Sequence, residues 1–422
     1  MSKAALIKKI RSNQLTSLAA ICISLTLAGC SAKKTSIFFL SDLGSDKGGG
    51  GAVLAPPPTL NSNTLAVGES KTLAITQLNI SQVWGNNYES SNGSFGQLGL
   101  GIIGWGTRTT PQVLDAGTTY ISVTSGETGS CALTSAKRIK CWGTFAGDGS
   151  GAEAASPVYL NDGGSASYID VDFGAYHGCA VQSSGVATCW GDGWEGKLGN
   201  GDLSGGWQDS PIVADAGTSY ARIATGRNHT CGITTAGLIR CWGTNSSAQL
   251  GDGTVVSPRL APVNVDETEK YDSIAVGDDS SCAITASGVL KCWGDNGSGQ
   301  LGDNSTARKM SPTIIDPGIA YAKVAMSDVY FFHTCGITTA GVLKCWGDNS
   351  TGQLGNGTTT RSLIPIVVDS GVSYKNVSVY YGQTCAVTTA GILKCWGNNG
   401  SGQLGLGNTT QQNLPAVVGS GY

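Results

Sequence analysis

The chain has 422 residues, among them 63 glycines, 12 prolines and 14 cysteines, with 13% charged side chains and a formal net charge of −3. Sparse charge without a basic block argues against nucleic-acid binding and chromatin-type function, which need a clustered positive surface. Length alone suggests two or three domains, but an internal repeat overrides that prior.

In chain order, the first feature is a basic start (Lys3, Lys8, Lys9, Arg11), then an apolar run from Leu15 to Leu27, then "LAGC" ending at Cys30. The run is short for a membrane span, and the pattern predicts an export signal over residues 1–29. It resembles a bacterial lipoprotein signal, cut before Cys30, which would then carry the lipid. Ser31 rather than Asp after that cysteine implies sorting to the outer membrane, with the domain facing the periplasm or the cell surface. Removing residues 1–29 removes four basic and no acidic residues, so 22 basic against 29 acidic leaves −7, a mildly acidic chain. Residues 30–60, with "GSDKGGGGAVLAPPP", read as a flexible Gly/Pro-rich tether, "SIFFL" (Ser36 to Leu40) being its one apolar segment.

The remainder, 61–422, is repetitive. "CAITASGVLKCWG" from Cys282 returns as "CGITTAGVLKCWG" from Cys335 and "CAVTTAGILKCWG" from Cys385. The cysteines pair by position as Cys131 with Cys141, Cys179 with Cys189, Cys231 with Cys241, Cys282 with Cys292, Cys335 with Cys345, and Cys385 with Cys395. A seventh copy, Leu65 to Gly85, aligns without a gap and has Leu73 and Val83 at the cysteine positions; the mean step is 52 residues. Each unit contains four short strand-like segments, for example those starting at Pro312, Tyr321, Cys335 and Leu343, and no run long enough for an amphipathic helix. Four strands per 40–50 residues is about the period of a propeller blade. The ordered part begins on the second type of strand (Leu65) and ends on the first type (Pro415), so the C-terminal strand is expected to complete the N-terminal blade and close the ring.

Within a unit, a hairpin closed three residues after the first cysteine and three before the second has a three-residue loop, whose last residue must be left-handed. Gly185, Gly237, Gly288, Gly341 and Gly391 stand there, with Asn79 in the cysteine-free copy; Lys137 is the exception and marks the second blade as irregular. Counting outward, the cysteines face each other at a non-hydrogen-bonded site, where side chains approach most closely. Six cross-strand disulfides are therefore predicted, as an exported chain permits, and metal or redox roles are not, since no Cys-x-x-Cys occurs.

The units also resemble the regulator-of-chromosome-condensation repeat in "WGDNGSGQLG" (Trp293 to Gly302), "WGDNSTGQLG" (Trp346 to Gly355) and "WGNNGSGQLG" (Trp396 to Gly405). The second unit loses the Gly-Gln-Leu-Gly after Trp142, while the third reads "GKLG" and the fourth "AQLG". The resemblance implies an all-β fold, a seven-bladed β-propeller of four-stranded antiparallel blades. Members of that family include exchange factors for a small GTPase and a secreted β-lactamase inhibitor, but likeness of fold transfers neither activity.

Alternating strands put the second-to-third and fourth-to-first loops on one face, which carries most of the variation: Trp105, Trp194, Trp207, Tyr330, Phe331, Phe332 and Tyr381. Aromatic side chains on loops of a rigid scaffold are the usual anchors of interfaces, so this loop face is the expected binding site. The Trp ending each fourth strand, by contrast, reads as inter-blade packing. His177, His229 and His333 each precede a first cysteine by two residues; Lys71, Gly129, Ser280 and Gln383 occupy that place elsewhere, so a hydrogen-bonding role is expected and no metal ring. Nucleophile-elbow, zinc-protease, phosphate-loop and calcium-loop motifs are absent. The expectation is a non-enzymatic, cofactor-free propeller that binds a protein or polysaccharide of the cell envelope or extracellular space, touching the membrane only through its lipid. The alternatives are an envelope lyase or hydrolase acting on polysaccharide, an exchange-factor or inhibitor activity, and a passive envelope component.

Overall fold

A computed structural model describes residues 64–88, 96–102, 104–203, 205–327 and 330–420. The expected export signal, Cys30 and the expected tether lie outside the described residues. Among the described residues, twenty-eight strands form seven four-stranded antiparallel sheets, each from four strands consecutive in the chain. The blades span residues 65–113, 120–159, 168–213, 220–264, 271–314, 321–367 and 374–420.

This phasing of strands into blades corrects the expected closure. The strand Gln412–Ser420 is the outer strand of blade seven, and blade one is complete from its own residues, because the strand type that begins each unit in the sequence pairs as the outermost strand of the preceding blade. The ring closes instead by the contacts that join every other pair of blades. The Trp84 indole N–H and the Thr72 hydroxyl of blade one both donate to the Gln403 carbonyl, each at 2.8 Å, from the long loop of blade seven. One step between blades four and five is the same: Trp293 and Ser281 both donate to the Gln249 carbonyl at 2.9 Å.

That repeated step explains the Asn and Gly-Gln-Leu-Gly of the long loop. The buried Asn296 side chain accepts from Leu301 N–H at 3.0 Å and donates to the Ser305 carbonyl at 3.0 Å, holding the loop in shape, while the Gln300 carbonyl projects onto the Trp346 indole of the next blade. The closing glycine lies against the indole: a Cβ on Gly251, where φ is +74°, would sit 2.6 Å from Trp293 Cδ1. Only a main-chain carbonyl is required of the partner, so the departures are tolerated. Lys197 supplies it to Trp242 at 2.9 Å, and Phe145 supplies it to Trp190 at 3.1 Å.

The hairpins follow the register read from the sequence. Directly opposite each other in the ladders stand Cys131 and Cys141, Cys179 and Cys189, Cys231 and Cys241, Cys282 and Cys292, Cys335 and Cys345, and Cys385 and Cys395. All six pairs are disulfides with Cα atoms 4.1 Å apart, one in each of blades two to seven. In blade one, Leu73 and Val83 face each other at the same place. Lys137 does not disturb blade two. It takes φ +59° and donates its N–H to Thr134 at 2.8 Å, as Gly185 does to Gln182, so the local cost of a left-handed lysine is borne by an otherwise regular hairpin.

The three histidines are buried at the start of second strands, not displayed in loops. His177, His229 and His333 place Nε2 at 2.7, 2.8 and 2.9 Å from the hydroxyls of Thr230, Ser281 and Thr384 on the next blade. Gln383 does the same to Thr72 at 2.7 Å, which shows why an amide can replace the ring. Since the Ser281 hydroxyl gives its proton to Gln249, Nε2 of His229 must be the donor and the neutral tautomer is fixed. Burial holds the His229 pKa down at about 3, against an ordinary value near 6.5. A depressed folded pKa means that the unfolded chain binds the extra proton, so this residue's contribution is present above pH 6.5 and is lost as pH falls toward 3. His229→Gln should therefore cost stability at pH 7.5 and recover about 2 kcal/mol relative to the parent at pH 5. Chemical denaturation of both proteins at the two pH values checks this; a gap that does not change with pH contradicts it.

Candidate loop-face site

The second-to-third and fourth-to-first loops do share a face. Glu69 and Ser70 from the first kind of loop line one pocket of about 460 Å³ with Asn86, Tyr88, Trp105 and Asn398 from the second. At the mouth of the axial channel the inner loops crowd together: a Cβ on Gly126 would stand 1.7 Å from the Gly174 carbonyl, and one on Gly174 would stand 2.1 Å from that of Gly226. Blades two to five therefore approach backbone to backbone there, and Gly126, Gly174, Gly226 and Gly277 are followed directly by Glu127, Ala175, Arg227 and Asp278 of the inner loops.

Those residues form a belt. Four positions before the first cysteine the chain places Glu69, Glu127, Arg227, Asp278, Phe331 and Tyr381, while blade three, with Ala175 at that place, contributes the adjacent Tyr176. Arg227 Nη1 lies 3.3 Å from Glu127 Oε2, the Tyr176 hydroxyl donates to Glu127 Oε1 at 2.7 Å, and the guanidinium sits 5.6 and 5.8 Å from the ring centres of Tyr176 and Tyr330. Asp278 beside them is pushed up to about 7, first by burial and then by the neighbouring Asp279, with Glu127 adding to it. The Lys71 ammonium, engaged with the Gly126 and Glu127 carbonyls at 3.1 and 3.2 Å, is a second cation beside this loop, so Glu69, Glu127 and Asp278 form an acidic arc flanked by Arg227 and Lys71.

Of the residues named from sequence, four meet here. Trp105, 75% exposed, stacks on Tyr88 at 3.9 Å, and Tyr381 lines the same pocket. Tyr381 in turn packs edge-on against Phe331 at 5.2 Å and Tyr330 at 6.0 Å. Trp194 and Trp207, each more than half exposed, belong to the long loop and outer strand of blade three, and Trp207 stacks on Phe145 at 4.5 Å. Among the described residues, neither contacts a ring of the belt. Phe332 is half-buried and leads directly into His333. Sequence reading missed Tyr88, Glu127, Tyr176, Arg227 and Asp278; reading one fixed position before each first cysteine around all seven units finds most of them.

Family models for the regulator of chromosome condensation (RCC1) repeat match residues 220–249, 271–300, 324–353 and 341–388. The match to the RCC1 repeat thus lies within residues 220–388. Among curated relatives it is 28% identical over 321 residues to the human E3 ubiquitin-protein ligase HERC2, covering 73% of this chain and 6% of that one. The chain thus spans a small fraction of that relative, whose ligase activity is not carried over. Among solved structures, human WBSCR16 superposes with a TM-score of 0.69 at 18% identity, covering 80% of this chain and 93% of its own. Yeast RCC1 (Prp20), crystallised bound to Kap60, gives a TM-score of 0.67 at 20% identity over 79% of this chain and 82% of its own. Identities this low carry the fold alone, and a propeller of four-stranded antiparallel blades is the architecture shared.

Proposed function

We propose that this RCC1-repeat propeller is a non-catalytic binding module, held at the bacterial envelope by its lipidated N-terminus, whose loop-face mouth grips a protein partner. The observation that carries this reading is the convergence of Tyr88, Trp105, Tyr330, Phe331 and Tyr381, from blades one, six and seven, beside an acidic arc from blades one, two and five. Exposed Trp and Tyr give large contact area at little conformational cost, and buried aromatic anchors dominate interface energies. The acidic arc favours a partner presenting a basic segment, and makes association weaken with salt. Yeast RCC1, a propeller of the same fold, forms a complex with Kap60. Disulfide-stapled hairpins suit an oxidising compartment, in line with export.

Affinity capture from envelope fractions with the oxidised propeller tests the reading. Trp105→Ala with Tyr330→Ala is expected to lower recovery of the partner by more than tenfold, since anchors of this kind contribute about 2 kcal/mol or more each. Trp194→Ala with Trp207→Ala should leave it within about twofold. Equal recovery by the two double variants would move the site away from the mouth, and capture of glycan in place of protein would reassign the partner class.

A further inference from the structure

The axial channel holds a second polar site, toward the hairpin face and away from the mouth described above. Two residues after the buried tyrosine that opens each inner strand, one side chain per blade stands at the same register: Asp170, Arg222, Ser273, Lys323 and Asn376 in blades three to seven. All five line a cavity of about 820 Å³ whose walls include the hairpin glycines Gly237 and Gly288.

Charge is unevenly matched in this cavity. Along the third strands of the blades, half-buried cations have carboxylate partners: Lys140 with Asp115, Arg240 with Asp215, Lys344 with Asp316 and Lys394 with Asp369. In the channel, among the described residues, Arg222 makes no hydrogen bond or ion pair, and Lys323 has only a hydrogen bond to Asn376 Oδ1 at 3.2 Å. The nearby carboxylates are otherwise engaged. Asp170 accepts the Ile223 N–H at 2.9 Å, Asp172, one step deeper, accepts from Thr124 and Thr225, and Asp272 stands exposed to solvent at the rim. Burial, and then the charge of Arg222, depress the Lys323 pKa, as expected of an ammonium with no carboxylate at hand.

Two cations without a carboxylate in hydrogen-bond contact, in a walled cavity where Asp170 offsets them only in part, are costly, and a ligand that supplies further negative charge relieves that cost. We propose that the channel binds a small oxyanion-bearing molecule, its carboxylate or phosphate group held between the Arg222 guanidinium and the Lys323 ammonium of blades four and six. A guanidinium fork with a point-charge ammonium is a donor set suited to oxyanions. Asp170 partly offsets the two cations, which favours a ligand with one concentrated anionic group over a polyanionic polymer.

The test uses the oxidised full chain, with inorganic phosphate and citrate as separate probes and chloride at equal ionic strength as the reference, read by calorimetry and thermal unfolding. Saturable binding of one anion per chain with a rise in Tm is expected, and whichever probe is preferred assigns a phosphate or a carboxylate ligand. Lys323→Met should raise Tm in chloride, because it removes an unmatched ammonium, and should weaken anion binding at least tenfold. Lys323→Gln and Arg222→Gln should weaken it likewise, while Trp194→Ala leaves it unchanged. No saturable binding of either probe, binding retained in Lys323→Gln, or a lower Tm for Lys323→Met in chloride would overturn the proposal.

Discussion

Unfolded in denaturant with a reductant and returned to buffer, the chain is expected not to regain a cooperative thermal transition, whereas the oxidised chain unfolded and returned in the same way recovers its Tm. Each disulfide closes a ring of about 11 residues, worth about 2.7 kcal/mol through chain entropy. Such terms do not simply add, yet the loss of two or three is already comparable to the net stability of an ordinary domain, about 5–15 kcal/mol. The blades have little to replace them with, since their loops are rich in glycine and their apolar core is divided into separate clusters, each lying at a seam between neighbouring blades. Every half-cystine in a disulfide is fully buried, from Cys131 and Cys141 in blade two to Cys385 and Cys395 in blade seven. Thiol titration of the folded protein should therefore register none of these cysteines, and reductant alone should act only as fast as blades open. Refolding of the reduced chain to the parental Tm would contradict the stapling role.

Trp293→Ala should cost about 3–5 kcal/mol, as removal of a large buried aromatic does. The indole is completely buried, clusters with Cys231, Ile233, Cys241 and Leu250 of the preceding blade, and lies against Gly251. Trp293→Phe should cost less, about 1–3 kcal/mol, because the Gln249 carbonyl keeps the Ser281 hydroxyl as a donor while losing the indole N–H. Denaturant midpoints of the two variants measure the pair. Because a propeller has seven such seams in one ring, the loss should appear as a lower midpoint of a single transition, not as a separate early phase.

Much of this architecture was legible in the sequence, since it rests on local chemistry repeated in register. The left-handed hairpin residue, the facing cysteines (Cys179 against Cys189, Cys335 against Cys345) and the terminal tryptophan each follow from strand geometry within about a dozen residues. What was not legible depended on which strands pair and what meets across blades. The strand starting a unit in the sequence belongs to the previous sheet, which reversed the expected closure. Lys137 looked like a defect because a left-handed lysine is unfavourable, but the flanking ladder holds it. The loop-face cluster of side chains, the candidate site, was half visible. Trp105 and Tyr381 stand out by composition, yet only the ring brings them to one pocket, and it leaves Trp194 and Trp207 elsewhere. Glu127, Tyr176 and Arg227 come from three blades, spaced one repeat apart in sequence, and nothing local marks them as partners.

The central claim is that binding occurs at the loop-face mouth. A photo-crosslinking phenylalanine analogue placed singly at Tyr330 and at Tyr88, and for comparison at Ser287 and Lys137 on the hairpin face, tests it in the intact protein with envelope fractions as the source of partner. Covalent adducts of one defined mass from the two loop-face positions, lost when unlabelled propeller competes, are the predicted result. Adducts from Ser287 or Lys137 with none from Tyr330 and Tyr88 would contradict it and place the interface on the opposite face.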